Sequence, residues 1–397
     1  MSADSDSTRA RKEIPVVSVI IPTHNRAELL SEALDSVYSQ EGVGELFEME
    51  VVVVDDASTD NTPDLVRAYP SIRYLRHETN RGPSAARNTA IRASTGKYVA
   101  LLDDDDMWYP YRLRVQIPFL ETNPHFGAVY GQNRLKGNGW DVTWPNAELA
   151  PSGNVFRAFL MNDVIAIGSL LIRKDAFEKA GYFDENITMP SMEHYDMCVR
   201  LAFHVPFKFV PGPVYFHRFW KEGGWLKSVL DGRYERDLPY VVDKALALLP
   251  NTIEQDTLRR DARNQAYWSI VDRLGEIAET DEKVAHARAL AQMYPRESSV
   301  VRNVRRLIYQ KGSTSNLATA GWRAFAKEVK AAAVKQRLSW WISRRLLADV
   351  WMQAAIVWQN MSGLIATAYA LIRSVIYSPC HIVKTLMILL LHGIVGE

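Results

Sequence analysis

The chain has 397 residues, too many for one ordinary domain and enough for two or three. Its formal net charge is +1, so no bulk electrostatic attraction to nucleic acid is expected. Two cysteines far apart, Cys198 and Cys380, exclude a disulfide framework and a cysteine-built zinc site and fit a reducing compartment. The first residues are polar and carry no apolar signal-peptide core, so residues 1–14 read as a flexible tail.

In chain order, Val16 to Ile21 is a short β-branched run of buried-strand type. It ends at Pro22-Thr23-His24-Asn25-Arg26. A helix follows with Leu30, Ala33, Leu34 and Val37 on one face, and Asn25 is its expected N-cap. Val51 to Val54 is a second strand, ending at Asp55-Asp56. Pro63 opens a helix at a position where proline is tolerated. Ile72 to Leu75 is a third strand. Gly82-Pro83-Ser84 starts a helix carrying Arg87, and Tyr98 to Leu102 is a fourth strand.

Strand and helix alternate at spacings that give a mostly parallel sheet, an α/β fold. In such sheets ligands sit beyond the carboxyl ends of the strands. Thr23 to Arg26, Asp55-Asp56 and Asp103-Asp104-Asp105-Asp106 should therefore meet in one crevice. Four adjacent carboxylates raise one another's pKa or require a cation. Hard oxygen ligands suit Mg²⁺ or Mn²⁺, while the alternative is a solvated acidic turn capping the next helix. Neither a GxxxxGK[ST] loop nor a GxGxxG fingerprint follows the first strand, so a bound nucleotide diphosphate would be neutralised by metal and basic side chains.

Four segments carry a resemblance: Val19 to Arg26, Val53 to Thr62, Arg81 to Asn88 and Leu102 to Trp108. In order and spacing they resemble glycosyltransferase family 2, over about residues 15 to 220. The resemblance implies a GT-A fold and an inverting transfer of sugar from a nucleotide-sugar donor, UDP-sugar favoured. It implies that Thr23 and Asp56 contact the base, with Asn25, Arg26 and Asp55 beside them. It places Arg87 near the donor, and Asp103 and Asp105 as the two acids of the family's DxD signature. Asp104 joins the nucleotide-sugar site, Asp105 is the expected direct metal ligand, and Mn²⁺ or Mg²⁺ the expected cofactor.

Gly127 to Gly131 reads as another strand, and Lys136 to Gly153 as a loop whose Trp140 and Trp144 either stack on a sugar or pack on the domain. Ile165 to Ile172 reads as a strand. Met192-Glu193-His194-Tyr195-Asp196 resembles the family's Glu-Asp motif at a helix start, where the aspartate is the general base. Here His194 takes that place. An inverting transfer needs a base within hydrogen-bond reach of the acceptor hydroxyl. Glu193, His194 and Asp196 are the candidates, Glu193 favoured and His194 next; Asp196 and Arg200, four apart, read more readily as a helix ion pair. His217, after a Pro-Gly-Pro turn, is a candidate for the metal set in the resembling family.

Residues 236–312 have helical periodicity, with Leu246 and Leu248 on apolar faces, and read as a bundle against the sheet domain. Residues 313–397 change character. Lys327, Lys330, Lys335, Arg337, Arg344 and Arg345 interleave with Trp322, Phe325, Trp340 and Trp341, the composition of an interfacial membrane helix. Val350 to Ile372 carries no charge and is long enough to span, although its polar and apolar residues fall on separate stripes. The expectation is monotopic or peripheral attachment to the cytoplasmic face of the cell membrane, with one or two spans as the alternative. The expected acceptor is a membrane-linked glycan or lipid. The rival expectation is a catalytically degenerate domain that binds nucleotide sugar or recruits a partner to membranes.

Overall fold

The computed structural model describes residues 14–277, apart from 138–139, 146, 148–149, 162–164, 219–227, 229–230 and 251. The expected tail up to residue 13, the part of the expected bundle from 278 to 312 and the whole membrane candidate, 313–397, lie outside the described residues.

The first half alternates as the sequence leads one to expect. Strand β1 (Val16–Thr23) leads to helix α1 (Ala27–Tyr38), β2 (Glu48–Asp55) to α2 (Thr62–Arg67), and β3 (Ile72–Arg76) to α3 (Pro83–Ala93). β4 (Tyr98–Leu101) and the short β5 (Met107–Trp108) follow, then α4 (Arg112–Thr122). β6 (Ala128–Gly137), β7 (Trp140–Trp144) and α5 (Phe156–Met161) come next, then β8 (Leu171–Arg173), α6 (Ala176–Ala180) and α7 (Met192–His204). β9 (Phe207–Arg218), α8 (Arg233–Ala247) and α9 (Ile253–Ile277) complete the described chain.

Among the described residues the strands form one mixed sheet in the order β3-β2-β1-β4-β8-β6-β9-β5, with β7 on β6. β3, β2, β1 and β4 are parallel. Register is set by the apolar runs: Val19 sits opposite Val51, and Thr23 opposite Asp55, so both polar strand ends finish level. The chain then continues the pairing by two bonds, Asp56 N–H to Thr23 O (2.8 Å) and Leu102 N–H to Ile20 O (3.0 Å). All the motif-bearing ends therefore open on one edge. Helices cover both faces, which is why β1 and β4 are apolar on both sides.

Three expectations are corrected. The Lys136–Gly153 loop is largely a hairpin, because β6 runs on to Gly137 and pairs with β7 from Asn133↔Trp144 to Gly137↔Trp140. Trp144 packs partly buried on the core. The Ile165–Ile172 strand is only three residues, Leu171–Arg173, preceded by a 3₁₀ turn at Ile167–Ser169. The reason is that side chains claim its carbonyls: Trp108 Nε1 donates to Gly168 O (3.0 Å), Gln116 Nε2 to Ser169 O (2.9 Å) and Arg112 Nη2 to Leu170 O (2.5 Å). Finally, α8 begins at Arg233, ahead of the expected boundary at residue 236. Leu238, Val241, Val242 and Leu246 on α8, with Leu258 and Ile270 on α9, share one apolar core with Phe159, Tyr195 and Phe207. The helices complete the sheet domain's core.

Candidate active site

Each polar strand end is built by its neighbours. Asn25 adopts φ +53, a left-handed conformation asparagine tolerates. Its Oδ1 accepts Thr59 N–H (2.6 Å) and its own N–H donates to Ser58 Oγ (2.9 Å), stapling the β1 end to the β2 end. The N-cap residue of α1 is Arg26, with no side-chain cap, and Asp60 Oδ2 takes the Ala27 N–H instead (3.1 Å). The capping role expected of Asn25 is thus filled by a residue from the facing loop.

Asp55 and Asp56 frame the crevice from beneath. Asp55 is fully buried, accepting Ser58 N–H (2.7 Å), Tyr74 Oη (2.6 Å) and Arg76 Nη1 (2.8 Å). Asp56 meets His77 Nδ1 (2.6 Å) and accepts the N–H groups of Arg81 (3.0 Å) and Gly82 (2.7 Å). These bonds fix both carboxylates at the end of β2, on the floor of the crevice. Asp56 fixes the turn at Gly82, φ +86, from which α3 sets out.

The acidic run is divided among partners. Arg87 on α3 is buried and bridges two acids, Nη2 to Asp103 Oδ1 (2.6 Å) and Nη1 to Glu193 Oε1 (3.1 Å). Burial favours a neutral Asp103, yet Arg87, aided by His194 and His217, holds its pKa below the ordinary carboxylate value. Arg26, 48% exposed at its side chain, donates from Nη1 to Asp104 Oδ1 (3.0 Å) and Asp105 Oδ2 (2.8 Å). Burial and the neighbouring Asp105 push Asp104 up to about 6 against the pull of Arg26, with the buried Thr23 hydroxyl beside it. Asp106 is raised well above the ordinary value by burial and by Asp105 and Asp103; it holds Tyr215 Oη and Arg218 N–H (2.8 Å). Burial lowers the pKa of His217 against the pull of Asp103 and Asp105, and its Nδ1 lies 3.9 Å from Asp106 Oδ2.

Among the described residues no group of three or more His, Cys, Asp and Glu stands close enough to hold a metal by itself. The donor set nevertheless fits a hard divalent ion. Asp103 and Asp105 each commit one oxygen to an arginine, the other accepts no bond among the described residues, and His217 lies within their field. Two carboxylates with the rest of the shell from phosphate and water is how Mg²⁺ is usually held.

Glu193 and His194 both stand on the first turn of α7, Glu193 buried against Arg87 and His194 half-buried within the field of Asp103. Asp196 is drawn away from the crevice: Arg200 donates to it twice and Lys244 reaches it at 3.1 Å. The helix ion pair read from the sequence is present.

Several residues of the site were not singled out in the sequence. Tyr215 is one: it lies two residues before the expected His217 on β9, a period-2 signal that places both toward the acids. Gly168 gives Tyr215 its room, since a Cβ there would lie 2.0 Å from the ring. Asn88 exchanges two bonds with the Phe183 backbone, both 2.9 Å. His77, a lone histidine, had no local signal.

A mixed sheet whose first four-stranded half is parallel, with an acidic strand end and helices on both faces, is the GT-A fold. Residues 18–181 match the sequence model of the family described as Glycosyl transferase family 2. The chain is 43% identical over 107 residues to the succinoglycan biosynthesis protein ExoO of Rhizobium meliloti, covering 26% of this chain and 30% of that protein. It is 37% identical over 165 residues to the putative teichuronic acid biosynthesis glycosyltransferase TuaG of Bacillus subtilis, covering 41% and 63%. It spans only 24–30% of the length of several curated relatives, three of them Rickettsia glycosyltransferases. Among solved structures, the S. aureus TarS 1–349 fragment in complex with UDP-GlcNAc shares the fold at TM-score 0.56 and 20% identity, over 81% of this chain and 92% of that one. The mannosyltransferase PcManGT of Pyrobaculum calidifontis, in complex with GDP-Man and Mn²⁺, does so at 0.50 and 22%, over 76% and 87%.

Proposed function

We propose that the protein transfers a sugar with inversion from a nucleotide-sugar donor, a UDP-sugar by preference, to a hydroxyl of a membrane-linked glycan or lipid in polysaccharide biosynthesis. One observation carries this reading: a single buried guanidinium, Arg87, holds the donor-side acid Asp103 and the acceptor-side acid Glu193 together. That bridge fixes the distance between where a leaving group departs and where an acceptor proton is removed. ExoO and TuaG, by their names, belong to polysaccharide assembly, and TarS and PcManGT were solved with sugar nucleotides.

The donor lies over the ends of β1, β2 and β4. Arg26, half exposed at the rim, is placed to follow the diphosphate. Asp105, with Asp103 and His217, would hold Mn²⁺ or Mg²⁺, which when bound neutralises charge on the leaving diphosphate. The acceptor oxygen attacks the anomeric carbon opposite the leaving group, and Glu193 takes its proton, with His194 as the alternative base. The C-terminal 313–397 segment attaches the enzyme to the cytoplasmic face of the membrane.

The test is nucleotide release from a panel of UDP- and GDP-sugars, with membrane extract as acceptor source, in Mn²⁺, Mg²⁺ or chelator. Release that needs metal and is lost in Asp105→Asn is the expected result. Binding of UDP without release from any donor would favour a degenerate domain.

A further inference from the structure

Five polar residues of helix α8 meet one segment, 184–189, that leads into α7, or one another at it. Asp237, 2% exposed, accepts on Oδ2 the N–H groups of Thr188 (3.0 Å) and Met189 (2.8 Å). Arg236 Nε donates to its Oδ1 (2.6 Å), and Arg236 Nη2 reaches Thr188 Oγ1 (2.5 Å). Arg233 Nη1 donates to Thr188 O (3.0 Å). Further along α8, Tyr240 Oη (2.8 Å) and Lys244 Nζ (2.6 Å) both donate to Asp184 Oδ2. The segment 184–189 is therefore held at both ends.

That segment runs straight into α7. The Met189 carbonyl accepts the N–H of Met192, the first residue of the helix, at 3.2 Å. Between them Ser191 sits at φ +77, a left-handed conformation that a non-glycine residue keeps only where its surroundings impose it. Glu193 and His194 follow at once. A buried carboxylate whose oxygens are filled by backbone N–H groups and an arginine is a rigid anchor, because losing any partner leaves an unsatisfied charge.

We propose that Asp237 is a positioning residue for the acceptor side. Through Thr188 and Met189 it fixes where α7 begins, and so where Glu193 and His194 stand against Arg87 and Asp103. It touches no reacting atom. The proposal rests on α7's first turn being the acceptor side, and it makes that turn dependent on α8.

The test compares the full chain as wild type, Asp237→Asn and Asp237→Ala. Amide exchange by mass spectrometry reads 184–194 against β1–β4, calorimetry reads UDP binding with Mn²⁺, and UDP release from UDP-GlcNAc with membrane extract reads turnover. Loss of the charged acceptor should speed exchange at 188–189 and lower kcat, each roughly tenfold. Exchange in β1–β4, the UDP Kd and the donor KM should stay within about twofold. Unchanged exchange at 184–194 in both variants overturns the proposal. So does exchange quickened evenly through α7 and the strands with UDP Kd rising in step, the signature of a merely structural residue. A wild type that releases no UDP defeats the proposed function instead, while the exchange pattern still decides the anchor. Should the Asp237 variants fail to fold, Arg236→Gln, which removes one bond to the anchor and one to Thr188, should quicken 188–189 exchange alone by about threefold.

Discussion

At the scale of single residues, the site is a set of divided acids. Four adjacent aspartates would repel one another in any uncompensated arrangement, and here each has its own answer: Arg87 for Asp103, Arg26 for Asp104 and Asp105, and Tyr215 with the Arg218 amide for Asp106. Arg87 carries the most, since it is itself buried and pairs with two acids, one of them the buried Glu193. Arg87→Gln leaves Asp103 and Glu193 without their cation, and removing one partner of a buried pair costs about 3–5 kcal/mol. Thermal unfolding of that variant should show a large drop in Tm, and its nucleotide release should vanish. Arg87→Lys should not restore the release, because one ammonium cannot reproduce a two-armed fork.

At the scale of elements, the 3₁₀ turn before β8 and the loop after α6 hold the site's two halves. Gly168→Ala would drive a methyl into the Tyr215 ring, and overpacking of this kind costs about 1–3 kcal/mol. The measurable result is a lower unfolding midpoint in denaturant at unchanged m-value. The loop after α6 is tied to α8 through Asp184. Burial opposes ionisation of Asp184, but Lys244, the Asn186 N–H and Tyr240 hold its folded pKa well below the ordinary value. A depressed acid stabilises the fold above its unfolded pKa and loses that contribution as pH falls through the folded value. Asp184→Asn should therefore lower stability at pH 7, on the order of 1 kcal/mol after solvent screening. The gap from wild type should close progressively below about pH 4. Denaturant midpoints measured from pH 7 down to pH 3 check both statements.

At the scale of the whole molecule, the family-matched residues do not make a complete core. Leu238, Val241, Val242, Leu246, Leu258 and Ile270 are all buried in the core they share with the sheet domain. Each fully buried aliphatic side chain contributes about 1.5–3 kcal/mol, so their sum rivals the net stability of a domain. A chain ending at residue 232 should fail to give a cooperative unfolding transition, whereas one ending at residue 277 should unfold cooperatively. Among the described residues no helix is long and apolar enough to cross a membrane. The membrane proposal rests on 313–397, and removing that segment should abolish co-sedimentation with anionic vesicles.

The parts legible in the sequence were local. Apolar runs, proline at a helix start and polar residues at strand ends mark the first four strands and the crevice, and parallel crossovers allow only one edge for those ends. Motif order within residues 18–181 was enough to place Thr23, Arg26, Arg87 and the acidic run around it. What the tertiary structure decided is who meets whom. Arg87 and Glu193 are 106 residues apart in sequence and 3.1 Å apart in space. Asp55 and Asp56 stand side by side in a one-dimensional motif, and only the tertiary structure brings Tyr74 and Arg76 to one and His77 and Gly82 to the other. The hairpin at β7, the 3₁₀ turn at Gly168 and the anchoring of Met189 by Asp237 are likewise set by partners remote in sequence. Local pattern encodes an element and the face it presents. Pairing between charges depends on how whole elements pack, and no run of neighbouring residues records that.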